Sequence, residues 1–114
     1  MKVWIDDIRD PVKFTGQTDH VWLKTYQDGL DYVTNNLDKV TELFLDNDLA
    51  DKEDRQGRHI LNFVEEQVYF GRMPSLKAIY IHSDNTPAVM SMLSSKDVFE
   101  RFGVDLKRNS FLVK

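Results

Sequence analysis

The chain contains no cysteine, no long hydrophobic run and no basic cluster larger than the pair Lys107-Arg108. Without cysteine it can form neither disulfides nor thiolate metal sites. Its apolar runs are too short to span a bilayer, and the first residues lead into such a run rather than into a signal peptide. We therefore expect a cytoplasmic protein without a membrane segment. We also expect no groove for duplex DNA, because such grooves need clustered basic side chains.

The size and composition predict one domain over residues 1–114. Hydrophobic residues make up 41% of the chain, which is enough for a core without covalent cross-links. The formal net charge of -4 indicates ordinary solubility rather than a particular partner.

Short apolar runs that stop abruptly at polar side chains are the main pattern of the sequence. Such runs predict buried strands at 2–5, 43–45, 78–81 and 110–113, with a further short strand at 20–24. In chain order, four of these strands end in Asp6 and Asp7, in Asp46 and Asp48, in His82 and Ser83, and in Lys114.

Helical patterns separate most of these strands. Thr25 can cap a helix in which Tyr26, Leu30 and Val33 recur at helical spacing. Further helices are predicted from about 58 to 70 and from 86 to 102. The segment from Arg9 to Asp19 shows no helical period and is predicted to be a loop.

Strands that alternate with helices predict an α/β fold with a parallel sheet. We expect the flavodoxin-like, three-layer arrangement with strand order 2-1-3-4-5, in which the first and last helices are reduced or missing. Ligands bind such sheets at the carboxyl ends of the strands, near the switch point between the first and third strands. Both of those strands end in paired carboxylates, so topology and chemistry indicate the same edge.

A cluster of Asp6, Asp7 and Asp46 needs either a proton or a cation. Two carboxylates about 4 Å apart repel by roughly 4 kcal/mol at an effective dielectric near 20. Oxygen ligands without cysteine suit Mg²⁺ or Mn²⁺, and also Ca²⁺. Ser83 is then a candidate to donate a hydrogen bond to a metal-bound phosphate, and His82 is a candidate acid or base.

Each of these patterns also has an ordinary structural explanation. Aspartates are common in turns, the segment from Asp46 to Asp48 can cap a loop, and His82 can be a hydrogen-bonded residue beneath the sheet edge. Their joint occurrence at the ends of three predicted strands favours a functional site.

These residues resemble the site of response-regulator receiver domains. Asp6 with Asp7, Asp46, Ser83 and Lys114 are similar to the acidic pair, the phosphoacceptor aspartate, the hydroxyl position and the lysine of that family. A closer resemblance, over about residues 1–90, is to the cyclic-phosphate processing receiver domains. Three segments carry it, namely VWIDDIRDP from Val3 to Pro11, LDNDL from Leu45 to Leu49, and HSDNTP from His82 to Pro87.

The resemblance implies a pocket that processes cyclic phosphates, such as those of nucleotides or RNA ends. By this resemblance Asp6, Asp7 and Asp46 would hold the metal, and Asp46, Asp48 and His82 would form the catalytic set. Ser83, Asn85 and Lys114 would bind the phosphate. Two departures stand out: Asn47 replaces the family's histidine, and one residue is inserted before Pro87. The amide of Asn47 cannot shuttle a proton, so this departure bears on turnover more than on the binding of metal and phosphate.

One face of the predicted sheet lacks helices to cover it, because the first and last helices are reduced or missing. Trp4, Trp22, Phe44 and Tyr80 each lie in the middle of a predicted strand and can share one side. We expect either the segment from Arg9 to Asp19 or a second copy of the chain, in a homodimer, to cover them.

Three functions fit these patterns. The first is a metal-dependent pocket that binds, and as a phosphoesterase hydrolyses, a cyclic or terminal phosphate of a small molecule or RNA end. The second is a receiver in which Asp46 accepts a phosphoryl group. The third is an interaction module without enzymatic activity. We favour the first.

Overall fold

Five parallel strands form one sheet in the predicted order. The computed structural model describes residues 1–83 and 86–109. The strands are β1 (Lys2–Ile5), β2 (His20–Leu23), β3 (Glu42–Leu45), β4 (Ala78–Ile81) and β5 (Asp105–Arg108). They pair as β2-β1-β3-β4-β5, which confirms the predicted fold class.

In the described part of the chain, one helix lies between each two consecutive strands, except that two helices lie between the fourth and the fifth. The helices are α1 (Pro11–Thr15), α2 (Tyr26–Asn35), α3 (Gly57–Tyr69), α4 (Thr86–Leu93) and α5 (Lys96–Arg101). Thr25 caps α2 as predicted, because its side chain accepts a hydrogen bond of 3.1 Å from the amide of Asp28. Within residues 1–83 and 86–109, no helix is long and apolar enough to cross a membrane.

The main core lies on one face of the sheet. Alternate residues of the central strands point into it, including Val3, Leu43 and Ile79. Helices α2 to α5 pack on the same face through Val33, Val64, Val89 and Phe99, all of which are buried. Because α2 to α5 all pack on this face, α1 is the described helix that remains to cover the opposite face.

The opposite face carries a row of aromatic side chains in strand register. Trp4 pairs with Trp22 and with Phe44, and Phe44 pairs with Tyr80. The rings of Trp4 and Phe44 stack at 5.3 Å, and those of Phe44 and Tyr80 at 4.8 Å. Trp4 and Phe44 are buried, whereas Trp22 and Tyr80 are half-buried. The predicted shared side is therefore present.

The segment from Arg9 to Asp19 is attached to this aromatic face. The indole nitrogen of Trp4 donates to the carbonyl of Arg9 at 2.8 Å. Lys2 donates to the side chain of Gln17 at 2.9 Å, and Pro11 is buried. The burial of the central aromatic rings within one chain favours cover by this segment over cover by a second copy.

The prediction that 9–19 is entirely loop was wrong, because Pro11–Thr15 forms α1. Asp10 caps this helix by accepting a hydrogen bond of 2.9 Å from the amide of Val12, and Pro11 occupies its first turn. Gly16 ends it with φ 73°, a left-handed conformation that glycine adopts without strain. A helix of five residues is too short to show a period, so its caps were the only signal.

The last strand and the last helical segment also differ from the predictions. The fifth strand is Asp105–Arg108, and the strand predicted at 110–113 lies outside the described residues. As an edge strand, β5 buries Leu106 alone, so it lacks the apolar run by which the strands were predicted. The helix predicted over 86–102 is two helices, separated at Ser94 and Ser95. The hydroxyl of Ser94 donates to the carbonyl of Ser91 there at 2.6 Å.

Candidate functional site

Backbone pairing continues one residue beyond the strands and aligns the candidate residues. The amide of Asp46 donates to the carbonyl of Ile5 at 2.9 Å, and that of His82 donates to the carbonyl of Leu45 at 3.0 Å. Asn109 pairs with β4 in the same way at 2.8 Å. Asp6, Asp46 and His82 therefore lie side by side at the carboxyl edge of the sheet.

Three carboxylates converge at this edge. Ligand oxygens of Asp6, Asp7 and Asp46 all lie within 4.8 Å of one another. Opposite ligands of an octahedral Mg²⁺ ion are about 4.2 Å apart, given bond lengths near 2.1 Å. The spacing and the oxygen chemistry of the set thus fit a hard divalent cation after small side-chain movements.

A small pocket opens over the carboxylates. Its volume is about 190 Å³, and its lining includes Asp7, Arg9, Asp46, Asp48 and Ser83. Ligand pockets for whole drug-sized molecules usually exceed about 300 Å³. This pocket therefore suits a group of phosphate size rather than a complete nucleotide.

Asp6 is the most firmly held member of the cluster. Its Oδ1 accepts hydrogen bonds of 3.0 Å from the amides of Ile8 and Arg9, and the carboxylate is completely buried. Burial raises the pKa of Asp6, but the contact with His82 and these amides outweighs that effect and lowers the pKa below its usual value. Asp6 is consequently a fixed negative charge at neutral pH.

His82 lies beneath the pocket rather than in its wall. Its Nε2 is 3.0 Å from Oδ2 of Asp6, although the ring N–H is not well directed at that oxygen. The ring stacks on Trp4 at 4.6 Å and is completely buried. Burial lowers the pKa of His82, and the charge of Asp6 opposes the shift only in part. A neutral imidazole that supports Asp6 is the resulting state.

The ionised form of Asp46 is strongly disfavoured in the cluster. Burial and the neighbouring charge of Asp6 raise the pKa of Asp46 to about 8, while Arg9 opposes the shift. Burial, together with repulsion from Asp6 and Asp48, also raises the pKa of Asp7. Without a cation, a proton on Asp46 thus relieves the repulsion that the sequence predicted.

Arg9 is a site residue that the sequence reasoning missed. Its Nη1 lies 3.4 Å from Oδ2 of Asp6 and 3.5 Å from Oδ2 of Asp46. The guanidinium therefore lies close to both buried carboxylates and reduces their repulsion. Its position within the Asp6-to-Pro11 segment that carries the family resemblance was a signal that could have revealed it.

The remaining predicted residues fall into two groups. Ser83 is buried and Asp48 is exposed, and both line the pocket. Asn85 and Lys114 lie outside the described residues. Asn109 follows the end of β5, the strand end to which Lys114 was assigned, and its side chain is buried.

Asn47 holds the start of α3 instead of facing the pocket. It is 1% exposed, its carbonyl accepts from the amide of Gly57 at 2.8 Å, and its Oδ1 accepts from the amide of Arg58 at 3.3 Å. A Cβ on Gly57 would lie 2.0 Å from the carbonyl oxygen of Asp46. This close backbone contact fixes the segment that carries Asp46.

The parallel sheet and the acidic edge together define a receiver-like domain. A family model described as the cyclic-phosphate processing receiver domain matches residues 1–97, and the chain belongs to this family. Searches of curated proteins and of solved structures find no match to the chain.

Proposed function

We propose that this chain binds a divalent cation, Mg²⁺ or Mn²⁺, through Asp6, Asp7 and Asp46, and with it a cyclic or terminal phosphate of a nucleotide or RNA end. The observation that carries the proposal is the convergence of three carboxylates under a phosphate-sized pocket. Membership of the cyclic-phosphate processing family supports the choice of ligand.

The proposed reaction is hydrolysis of a cyclic phosphodiester. A bound cation would supply a Lewis acid for the phosphoryl oxygens. A water oxygen forms a bond to phosphorus, one ester P–O bond breaks, and a proton passes from the water to the leaving oxygen, so no further reactant is needed.

Different residues of the chain would accept the proton and bind the phosphate. Asp48, exposed at the pocket, is placed to accept a proton from water, and Ser83 is placed to bind a phosphoryl oxygen. His82 would act on the reaction through Asp6, which it contacts. Asn85 and Lys114 stay predicted phosphate ligands.

A melting screen against divalent cations and a panel of cyclic and terminal nucleotide phosphates tests the proposal. We expect Mg²⁺ or Mn²⁺ to raise Tm, and a phosphate to raise it further only when the cation is present. Asp46→Asn should abolish both shifts. Asp97→Asn, a change of the same chemistry at an exposed position on α5, should keep them. Equal shifts in the two variants would refute the metal site.

Product analysis then separates binding from turnover. Chromatography of 2′,3′-cyclic nucleotides incubated with the protein and Mg²⁺ should show ring-opened monophosphates, and this product should disappear with Asp46→Asn. Stabilisation without product would leave a phosphate-binding protein that does not catalyse the hydrolysis.

The same carboxylates also fit a phosphoacceptor site with Asp46 as the acceptor. Asp46 follows β3 directly and lies beside Asp6 and Asp7, as the resemblance to receiver domains implies. A mass increase after incubation with a small phosphodonor and Mg²⁺, lost in Asp46→Asn, would support this second function.

The third function and the homodimer make separate predictions. A partner that binds the wild type and Asp46→Asn equally would indicate an interaction module that does not use the pocket.

Light scattering of the protein would show the dimer directly. Because Trp4 and Phe44 are buried within one chain, we propose a monomer.

A further inference from the structure

A second cavity lies between the start of α3 and the end of α4. Its volume is about 310 Å³, and Leu61 and Met92 contribute apolar surface to it. The rest of its lining is polar and comprises Arg58, His59, Asn62, Ser91, Ser94 and Ser95. We call this cavity the α3–α4 cleft.

Several donors in the cleft have no bonding partner among residues 1–83 and 86–109. The guanidinium of Arg58, the amide of Asn62 and the hydroxyl of Ser91 make no hydrogen bond or ion pair within those ranges. Nδ1 of His59 accepts from the amide of Gln56 at 2.9 Å, so the ring proton is on Nε2 and remains available. The cleft thus presents unused donors on both of its helices.

The charge of the lining points to an anion. Arg58 is a permanent cation, and the lining contains no aspartate or glutamate. An arginine fork together with hydroxyl and amide donors is a set of groups suited to a phosphate, which accepts several hydrogen bonds at once.

The cleft adjoins the acidic pocket through Asn47. The side chain of Asn47 accepts a hydrogen bond from the amide of Arg58, and its sequence neighbours Asp46 and Asp48 line the acidic pocket. The first turn of α3, which lines the cleft, is therefore bonded directly to the segment that lines the acidic pocket.

We infer that the α3–α4 cleft is a second anion site, which binds a further phosphate of the ligand whose terminal phosphate enters the acidic pocket. This inference rests on the proposed function and narrows the ligand class to an oligonucleotide end. The acidic pocket suits one phosphate group, and the larger cleft supplies the space and the positive charge for the next part of the chain.

Inorganic phosphate, titrated without divalent cations, tests the cleft by itself. We expect amide resonances in the first turn of α3 and the last turn of α4 to shift in two-dimensional NMR spectra. Arg58→Gln should abolish these shifts. Arg101→Gln, which removes an exposed arginine of α5 from the same chain, should retain them. Shifts confined to the acidic pocket, or shifts that persist in Arg58→Gln, would overturn the second site while leaving the proposed function intact.

Two nucleotides then test whether one ligand uses both sites. With Mg²⁺ present, a diribonucleotide with a 3′-terminal phosphate should bind about tenfold more tightly than the corresponding mononucleotide 3′-phosphate, as a bidentate arginine–phosphate contact would give. Arg58→Gln should remove this advantage, Arg58→Lys should restore it in part, and Arg101→Gln should keep it.

Equal affinity of the wild type for both nucleotides, or equal losses in Arg58→Gln and Arg101→Gln, would overturn the inference. Phosphate-induced shifts in the cleft without nucleotide or Mg²⁺ binding at the carboxylates would overturn the shared ligand and the proposed function, and would support the cleft as an anion site.

Discussion

Nη1 of Arg9 lies 3.5 Å from Oδ2 of Asp46, inside the carboxylate cluster of the sheet edge. The same atom is 3.4 Å from Asp6, so one guanidinium supplies positive charge to both acids. A divalent cation bound at these carboxylates would compete with this contact. We infer that Arg9 and the metal are alternative counter-ions of the site.

Arg9→Gln should therefore make the folding stability of the protein depend more strongly on bound metal. Removing the guanidinium leaves two buried carboxylates without that charge, at a cost of about 2 kcal/mol in unfolding free energy at pH 8. The cost should shrink at pH 6, where Asp46 carries a proton. Denaturant unfolding with and without Mg²⁺ measures this, with Arg101→Gln as the control. Equal Mg²⁺ stabilisation of wild type and Arg9→Gln would contradict the exchange of counter-ions.

The raised pKa of Asp46 makes stability depend on pH. Between the ordinary aspartate value of 3.8 and about 8, the folded metal-free protein holds a proton that the unfolded chain has lost. Its unfolding free energy should consequently fall as pH rises through this range, by on the order of 5 kcal/mol. The lowered pKa of Asp6 acts in the opposite direction, since the stability that it provides is lost as pH falls below about 4.

Unfolding in urea at pH 5, 6.5 and 8 with a chelator checks this slope, which Asp46→Asn should flatten. Metal binding would release the Asp46 proton, so Mg²⁺ affinity should rise by up to tenfold per pH unit until about pH 8. Calorimetry in buffers of different ionisation enthalpy detects the released proton. A Mg²⁺ affinity independent of pH from 6 to 8 would be inconsistent with a protonated Asp46.

Gly57 tests the close contact that positions Asp46. A Cβ there would lie 2.0 Å from the carbonyl oxygen of Asp46, a backbone atom that cannot rotate away. Gly57→Ala should lower the unfolding free energy by at least about 2 kcal/mol and weaken Mg²⁺ binding.

Gly29→Ala is the matched control for that change. Its Cβ would lie 2.8 Å from Cδ1 and 2.9 Å from Cγ2 of the buried Ile5 side chain, which must shift within the core, whereas a Cβ on Gly57 would meet backbone atoms. The gain in helix propensity offsets part of this packing cost, so Gly29→Ala should destabilise the protein less than Gly57→Ala does. Thermal melts and Mg²⁺ titrations of both variants provide the comparison. A neutral Gly57→Ala would mean that the Asp46 segment moves without penalty.

His82→Phe removes the imidazole that supports Asp6 and keeps an aromatic ring beside Trp4. Loss of the 3.0 Å contact should raise the pKa of Asp6 towards its usual value and weaken Mg²⁺ binding several-fold. His20→Phe makes the same exchange in the same aromatic face, at a ring 5.5 Å from Trp4, and should leave Mg²⁺ affinity unchanged. NMR titration of the Asp6 carboxyl distinguishes this effect from general destabilisation, which would affect both variants.

The sequence was sufficient for the sheet order and for the placement of Asp6 and Asp46. Both acids directly follow apolar strands that are buried on both faces, and such strands are conspicuous in a sequence. β5 was misplaced because an edge strand buries little, and of its residues only Leu106 is inside.

The side-chain positions of Arg9 and Asn47 could not be predicted from the sequence. The reach of Arg9 to Asp46 depends on the turn in which Asp6 accepts the amides of Ile8 and Arg9, and no periodicity encodes that turn. Asn47 stands at the position of the family's histidine, yet its side chain holds the amide at the start of α3. Spacing predicted that the acids converge, but it could not predict which side chain between them faces inwards.

Both tryptophans of the chain touch the turn that carries the candidate metal ligands. The indole of Trp22 donates to the carbonyl of Asp6 at 2.8 Å, and that of Trp4 donates to the carbonyl of Arg9. Cation binding that moves this turn should therefore change the intrinsic tryptophan fluorescence. Occupancy can be followed in unlabelled protein at micromolar concentration, without attaching a dye.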